Sequence, residues 1–136
     1  MKPENNLSHK KLDVKSLWPY LVIITIAFVY ALPQLQIRGI YVGADNAFHF
    51  NRAFEAMSRI KHLNFNNSQI SLYGFNASGR AINALYGPGL GYFFGLVLLF
   101  TKSWLKFQLV TNFIVTVGTM GLSYWLFNTV SYTHLT

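Results

Sequence analysis

From Leu17 to Leu35 the sequence reads LWPYLVIITIAFVYALPQL without one charged side chain. Inside lipid every backbone N–H and C=O must be paired within the segment, and a helix needs about 20 apolar residues to cross roughly 30 Å of hydrocarbon. The run therefore predicts a transmembrane helix over residues 17–35. Trp18, Tyr20 and Tyr30 sit where interfacial anchors belong, Pro19 falls in the first turn, and Pro33 lies near the exit. A cleaved signal peptide is the rival reading, because the basic HKKLDVK precedes the run. The run is long for that role, and further apolar blocks follow it.

Ala81 to Phe100, AINALYGPGLGYFFGLVLLF, predicts a second span, with Gly87, Gly91 and Gly95 spaced to let another helix approach its backbone. Its YGPG also reads as a turn ahead of a shorter helix. Phe107 to Phe127 predicts a third span, in which Gln108 and Asn112 are polar interruptions. Asn112 reads either as a hydrogen-bonding residue toward a neighbouring helix or as an interfacial one.

Composition fits a membrane chain: 52% of residues are hydrophobic, 17% aromatic and 11% charged, where a soluble domain carries roughly 25% charge. The formal charge of +7 is spread over separate polar stretches. That pattern points to lipid headgroups or phosphate-bearing substrates and away from nucleic acid. The lack of cysteine removes disulfides and thiolate metal sites. The expected fold class is all-α integral membrane, with three transmembrane helices. A basic tail occupies 1–16, spans occupy 17–35, 81–100 and 107–127, a short link occupies 101–106, and a tail occupies 128–136.

Lys2, Lys10, Lys11 and Lys15 precede the first span, and Lys102 and Lys106 crowd the short link. Arg38, Arg52, Arg59, Lys61 and Arg80 are spread across residues 36–80. By density, the positive-inside rule predicts a cytoplasmic N-terminus, a cytoplasmic link and a loop 36–80 outside the cytoplasmic membrane.

That loop is far longer than a connection needs. Asp45 to His62, DNAFHFNRAFEAMSRIKH, predicts an amphipathic juxtamembrane helix. At 100° per residue Phe50, Ala53, Phe54, Met57 and Ile60 gather on one side. Asp45, His49, Arg52, Ala56 and Arg59 gather on another and are expected to face water or a cavity. The Asn- and Ser-rich stretch that follows reads as loop, with a short extended piece at Gln69–Tyr73. Asn66 and Asn76 begin N-x-S sequons that carry little meaning without a secretory context.

Each polar residue has a plain structural reading: Asp45 as a helix N-cap, His49 as an interfacial side chain, Arg52 and Arg59 as headgroup-binding or Glu55-pairing residues. Their alignment beside a span also suits one chemistry. Aspartate can serve as general base to a hydroxyl acceptor, and arginine can bind a phosphate and stabilise it as a leaving group. Zinc fits poorly, since His49 and His62 stand far apart and no HExxH occurs. No phosphate-binding Gly-rich loop and no G-x-S-x-G is present. No cofactor is predicted, and nothing in the sequence supports a divalent metal.

GADNAFHFNRAFEAM, YGFNASGR and ALYGPGLGYF resemble the N-terminal part of the YfhO-like bacterial multi-span proteins of the GT-C glycosyltransferase superfamily. The resemblance covers roughly residues 15 to 127 and rests chiefly on the pattern G-x-D-x-x-F-H-x-x-R. It implies an enzyme that takes sugar from a polyprenyl-phosphate carrier outside the cytoplasmic membrane and modifies a cell-wall polymer acceptor. Asp45 maps onto the catalytic aspartate; Arg52 and Arg80 would lie near phosphate and His49 would orient donor or acceptor. Such enzymes have many more spans, so the chain is expected to be a truncated fragment, inactive without the remaining spans of its parent. A non-native tail is expected at about Ser131–Thr136. The competing reading is a small membrane scaffold or transporter fragment whose external helix binds membrane lipid.

Overall fold

The computed structural model describes residues 14–43, 45–74 and 79–133, with side chains from 17 to 130. Residues 1–13 of the expected basic tail and 134–136 of the expected non-native tail lie outside the described residues. Among the described residues five helices follow one another: α1 (Val14–Ile37), α2 (Asn46–His62), α3 (Ile82–Leu85), α4 (Pro88–Thr101) and α5 (Trp104–Thr133). No strand occurs among the described residues.

Two of these helices, α1 over Leu17–Ile37 and α5 over Trp104–Val130, are long and apolar enough to cross a membrane. Only 17% of the most apolar window of α1 and 6% of that of α5 is buried, whereas the core helix of a soluble protein hides most of its apolar surface. Phe28 and Tyr30 on α1 and Leu122, Trp125 and Phe127 on α5 all face outward. At 1.5 Å per residue, Trp104 and Trp125 stand about 31 Å apart along α5, close to the thickness of a hydrocarbon core.

α1 and α5 run antiparallel. At one end the rings of Tyr20 and Tyr124 meet edge to face at 5.7 Å. At the other, Gln34 Nε2 donates to Gln108 Oε1 at 2.5 Å. The same oxygen accepts the Tyr41 N–H at 2.8 Å, and Gln108 Nε2 donates to the Tyr41 carbonyl at 2.9 Å. Both glutamines are buried. An unpaired amide among apolar side chains is costly, so this node fixes the level at which the two helices meet. Asn112 is exposed and lines a cavity of about 340 Å³ between α1 and α5, together with Gln34 and Tyr30.

The block expected to form a second span is broken. Pro88 lacks an N–H and disfavours helix in the residue before it, so the chain turns at Gly87 and starts α4 afresh. With 14 residues α4 is about 21 Å long, short of a hydrocarbon core. It packs beside α2 in the same chain direction. Arg52 of α2 reaches the Tyr86 and Gly87 carbonyls just ahead of α4, and Gly95 abuts Ala56 and Met57.

The link to α5 therefore falls at the Gln34 end of α1, on the same side as residues 38–43, because Gln108 lies just one turn into α5. The sequence reading places the link and the loop on opposite faces of a membrane; here the link and residues 38–43 stand at one end of the α1–α5 pair. Lys102 and Lys106 then join the five basic residues of the loop, and the density argument for orientation rests on Lys2, Lys10, Lys11 and Lys15 alone.

The apolar core sits where α2, α4 and α5 meet. Ala53, Leu98 and Phe107 are buried there, with Phe50, Met57, Phe94, Val97 and Trp104 packed around them. Phe50 stacks on Trp104 at 5.1 Å and meets Phe107 at 6.1 Å. The apolar side of α2 is thus satisfied largely by protein, and Phe54 remains partly exposed beside Tyr73.

Candidate functional site

Asp45 occupies the N-cap position of α2 with helical dihedrals (φ −101°, ψ −4°) and makes no side-chain capping bond. Its backbone carbonyl accepts the His49 N–H at 3.1 Å, while its carboxylate stands exposed. The simple capping role is therefore not what this aspartate does. Asn46 takes a structural part instead, donating through Nδ2 to the Tyr41 carbonyl at 2.9 Å and tying the start of α2 back to the Gln108 node.

One turn on, His49 is exposed and in ring contact with Phe48 at 5.1 Å and Tyr86 at 6.5 Å. Phe48, which falls off the apolar stripe, stacks edge to face on Tyr86 at 5.3 Å. Arg52 lies under this aromatic group, its guanidinium carbon 5.8 Å from the Phe48 centroid and 5.3 Å from that of Tyr86. The structure thus gathers His49, Arg52 and Tyr86, with Asp45 on the preceding turn. Tyr86 was not among the residues expected from sequence; its only signal there is an aromatic residue directly before the Gly-Pro turn.

Arg52 is not open to water as the helical-wheel reading expected. It is only 6% exposed. Its Nε donates to Asn83 Oδ1 at 3.0 Å, and its Nη2 donates to the Tyr86 carbonyl and to the Gly87 carbonyl, the latter at 3.3 Å. Asn83 Nδ2 in turn donates to the Ser68 carbonyl at 3.1 Å. Burial lowers the pKa of Arg52, opposed by Tyr86 and Glu55; an arginine nevertheless keeps its charge throughout the working pH range.

Arg59 is buried in the same way, donating through Nη1 to the Asn66 carbonyl and through Nη2 to the Ile70 carbonyl, both at 2.7 Å. The expected headgroup contact and Glu55 pairing give way to main-chain bracing, because the loop folds back over this side of α2. Only about 10 Å³ of space is left between the two arginines, Ser68, Asn83 and Tyr92.

Glu55 is the residue that sequence reasoning undervalued. It is 1% exposed. Its Oε1 accepts from Ser71 Oγ at 2.5 Å, from the Tyr73 N–H at 2.9 Å and from Asn51 Nδ2 at 3.4 Å. Its Oε2 is buried and has no hydrogen-bond partner among the described residues. The piece expected to be extended at Gln69–Tyr73 is a turn and bend held to α2 by this carboxylate. A signal was available: of four acidic residues, Asp45 and Glu55 alone follow the first span.

Arg80 is exposed, and its carbonyl accepts the Ser71 and Ile82 N–H groups, each at 2.8 Å. Asn76 lies outside the described residues. Among the described residues no three His, Asp or Glu side chains come together as a metal site. Compared with known protein families, curated proteins and solved structures, the chain matches none.

Proposed function

We propose that this chain is the N-terminal, membrane-embedded part of a glycosyltransferase that uses a polyprenyl-phosphate sugar on the extracytoplasmic side and modifies a cell-wall polymer. The observation that carries the reading is Asp45: a carboxylate exposed at the start of α2, in the first stretch of chain after a span-length helix, with no capping bond to occupy it. In this reading Asp45 takes the proton of an acceptor hydroxyl. Arg52, held by Asn83 and the Tyr86 and Gly87 carbonyls through Nε and Nη2, adds a buried positive charge near the leaving phosphate without touching it, and Arg80 supplies a cation from the loop. His49 orients the sugar or the acceptor against Tyr86. α1 and α5 are the two membrane crossings, and α2 and α4 form a platform on the outer face between them.

The test is Asp45→Asn in the full-length parent, scored by sugar incorporated into the wall polymer. Loss of incorporation at normal protein level supports the role, and unchanged incorporation removes it. A non-enzymatic membrane scaffold is the second reading. It is favoured by the internal bracing of Arg52 and Arg59, which leaves Asp45 and His49 as the exposed polar groups on that side of α2. It predicts no effect of Asp45→Asn.

A further inference from the structure

We propose that the groove between the last turns of α2 and α4 and the first turn of α5 binds an anionic phospholipid of the surrounding bilayer. The groove encloses about 500 Å³. Phe54, Met57, Leu99 and Trp104 form its floor, and Lys61 and Lys102 stand at its rim. Among the described residues, no acidic side chain lines it.

Three observations identify the occupant. The first is level. Trp104 opens α5 one turn before Gln108, which is bonded to Gln34 near the end of α1, so the groove sits at the end of the span-length helices, where lipid headgroups lie. The second is charge. Lys61 lies in the last turn of α2 and Lys102 follows α4 as its C-cap. A cation at each helix C-terminus complements a dipole, but that accounts for neither the convergence of the two nor the apolar floor between them.

The third is backbone conformation. Lys102 holds φ at +51°, a left-handed position where glycine is the ordinary choice. A lysine is thus placed at a conformational cost, beside the groove. One acyl chain lies along Phe54, Met57 and Leu99, and the phosphate sits between the two ammonium groups. This site differs from the headgroup contact expected of Arg52 and Arg59, and it does not depend on the enzymatic reading.

Native mass spectrometry of the full chain, with phosphatidylglycerol and phosphatidylcholine of identical acyl chains as probes, tests the site. The wild type is expected to retain phosphatidylglycerol in preference to phosphatidylcholine. The double variant K61Q/K102Q is expected to lose about twenty-five-fold of that preference at low salt, each surface lysine contributing roughly five-fold. Both lysines are exposed, so the variant keeps its core. K106Q, an exposed lysine outside the groove, is expected to leave the preference intact. Unchanged retention in K61Q/K102Q overturns the proposal, as does an equal loss in K106Q, which would mean diffuse charge attraction. Lipid-displacing dimers cross-linked through Phe54 and Leu99 also overturn it, by seating a second copy in the groove.

Discussion

Gly95 lies so close to Ala56 that a Cβ added to it would stand 2.7 Å from the Ala56 Cβ and 2.6 Å from the Met57 nitrogen. Backbone meets backbone here, so neither helix can yield by rotating a side chain. Gly95→Ala is expected to push α2 and α4 apart at a cost of about 1–3 kcal/mol. At Gly91 the nearest atom to an added Cβ is Arg52 Nη2 at 3.8 Å, an ordinary contact. Gly91→Ala is therefore expected to be neutral or slightly stabilising, by up to ~1 kcal/mol of helix propensity. Thermal unfolding of the two variants in the same detergent separates them: the midpoint falls for the first and holds for the second.

Glu55 supports a similar contrast. In Glu55→Gln the side-chain carbonyl still accepts from Ser71 and Tyr73, and a buried charge is removed, so the change is expected to stay within about 1 kcal/mol. Glu55→Ala leaves the Ser71 hydroxyl and the Tyr73 N–H without their acceptor and is expected to cost about 1–3 kcal/mol. Limited proteolysis between Ser68 and Tyr73 reports the difference, with rapid cleavage expected for alanine alone.

The guanidinium of Arg52 bridges Asn83 Oδ1 and two main-chain carbonyls in a fork that a single ammonium cannot reproduce. Arg52→Lys is therefore expected to behave like Arg52→Ala, loosening the segment from Ile82 to Gly87 and speeding hydrogen exchange at the start of α4. Exchange equal to wild type in the lysine variant would show that the charge suffices.

In the proposed topology, residues 38–43 and the link between α4 and α5 share the outer side of the membrane. The chain has no cysteine, so single-cysteine variants report cleanly. Ile40→Cys and Lys102→Cys are expected to react with a membrane-impermeant thiol reagent on intact cells, and Thr129→Cys is expected to react only after permeabilisation. Protection of Lys102→Cys alone would restore a crossing by α4, and protection of Ile40→Cys and Lys102→Cys together would invert the chain.

The two long apolar helices were legible in sequence because length and hydropathy are what lipid demands. α2 was legible because its period of apolar residues is strong, and the YGPG turn because proline and glycine act locally. The packing of α4 against α2 was not. An apolar block reads alike whether lipid or a neighbouring helix covers it, and Gly91 and Gly95 look identical until the partner's backbone is in place. The roles of Arg52, Glu55 and Arg59 were hidden for a related reason. Their partners are mostly main-chain groups of the segment from Asn66 to Gly87, with the Ser71 and Asn83 side chains within it, and a carbonyl carries no sequence signature. Asp45 differs in one respect: the sequence offered it as an N-cap, and it makes no side-chain capping bond.

The measurement that bears most directly on the account is sugar incorporation into the wall polymer by the full-length parent carrying Asp45→Asn, at a membrane level matched to wild type. A positioned general base contributes roughly 10²–10⁴-fold to a rate, so incorporation is predicted to fall at least about a hundred-fold with the chain still inserted and folded. Incorporation at the wild-type rate would contradict the account and leave α2 and α4 as a scaffold.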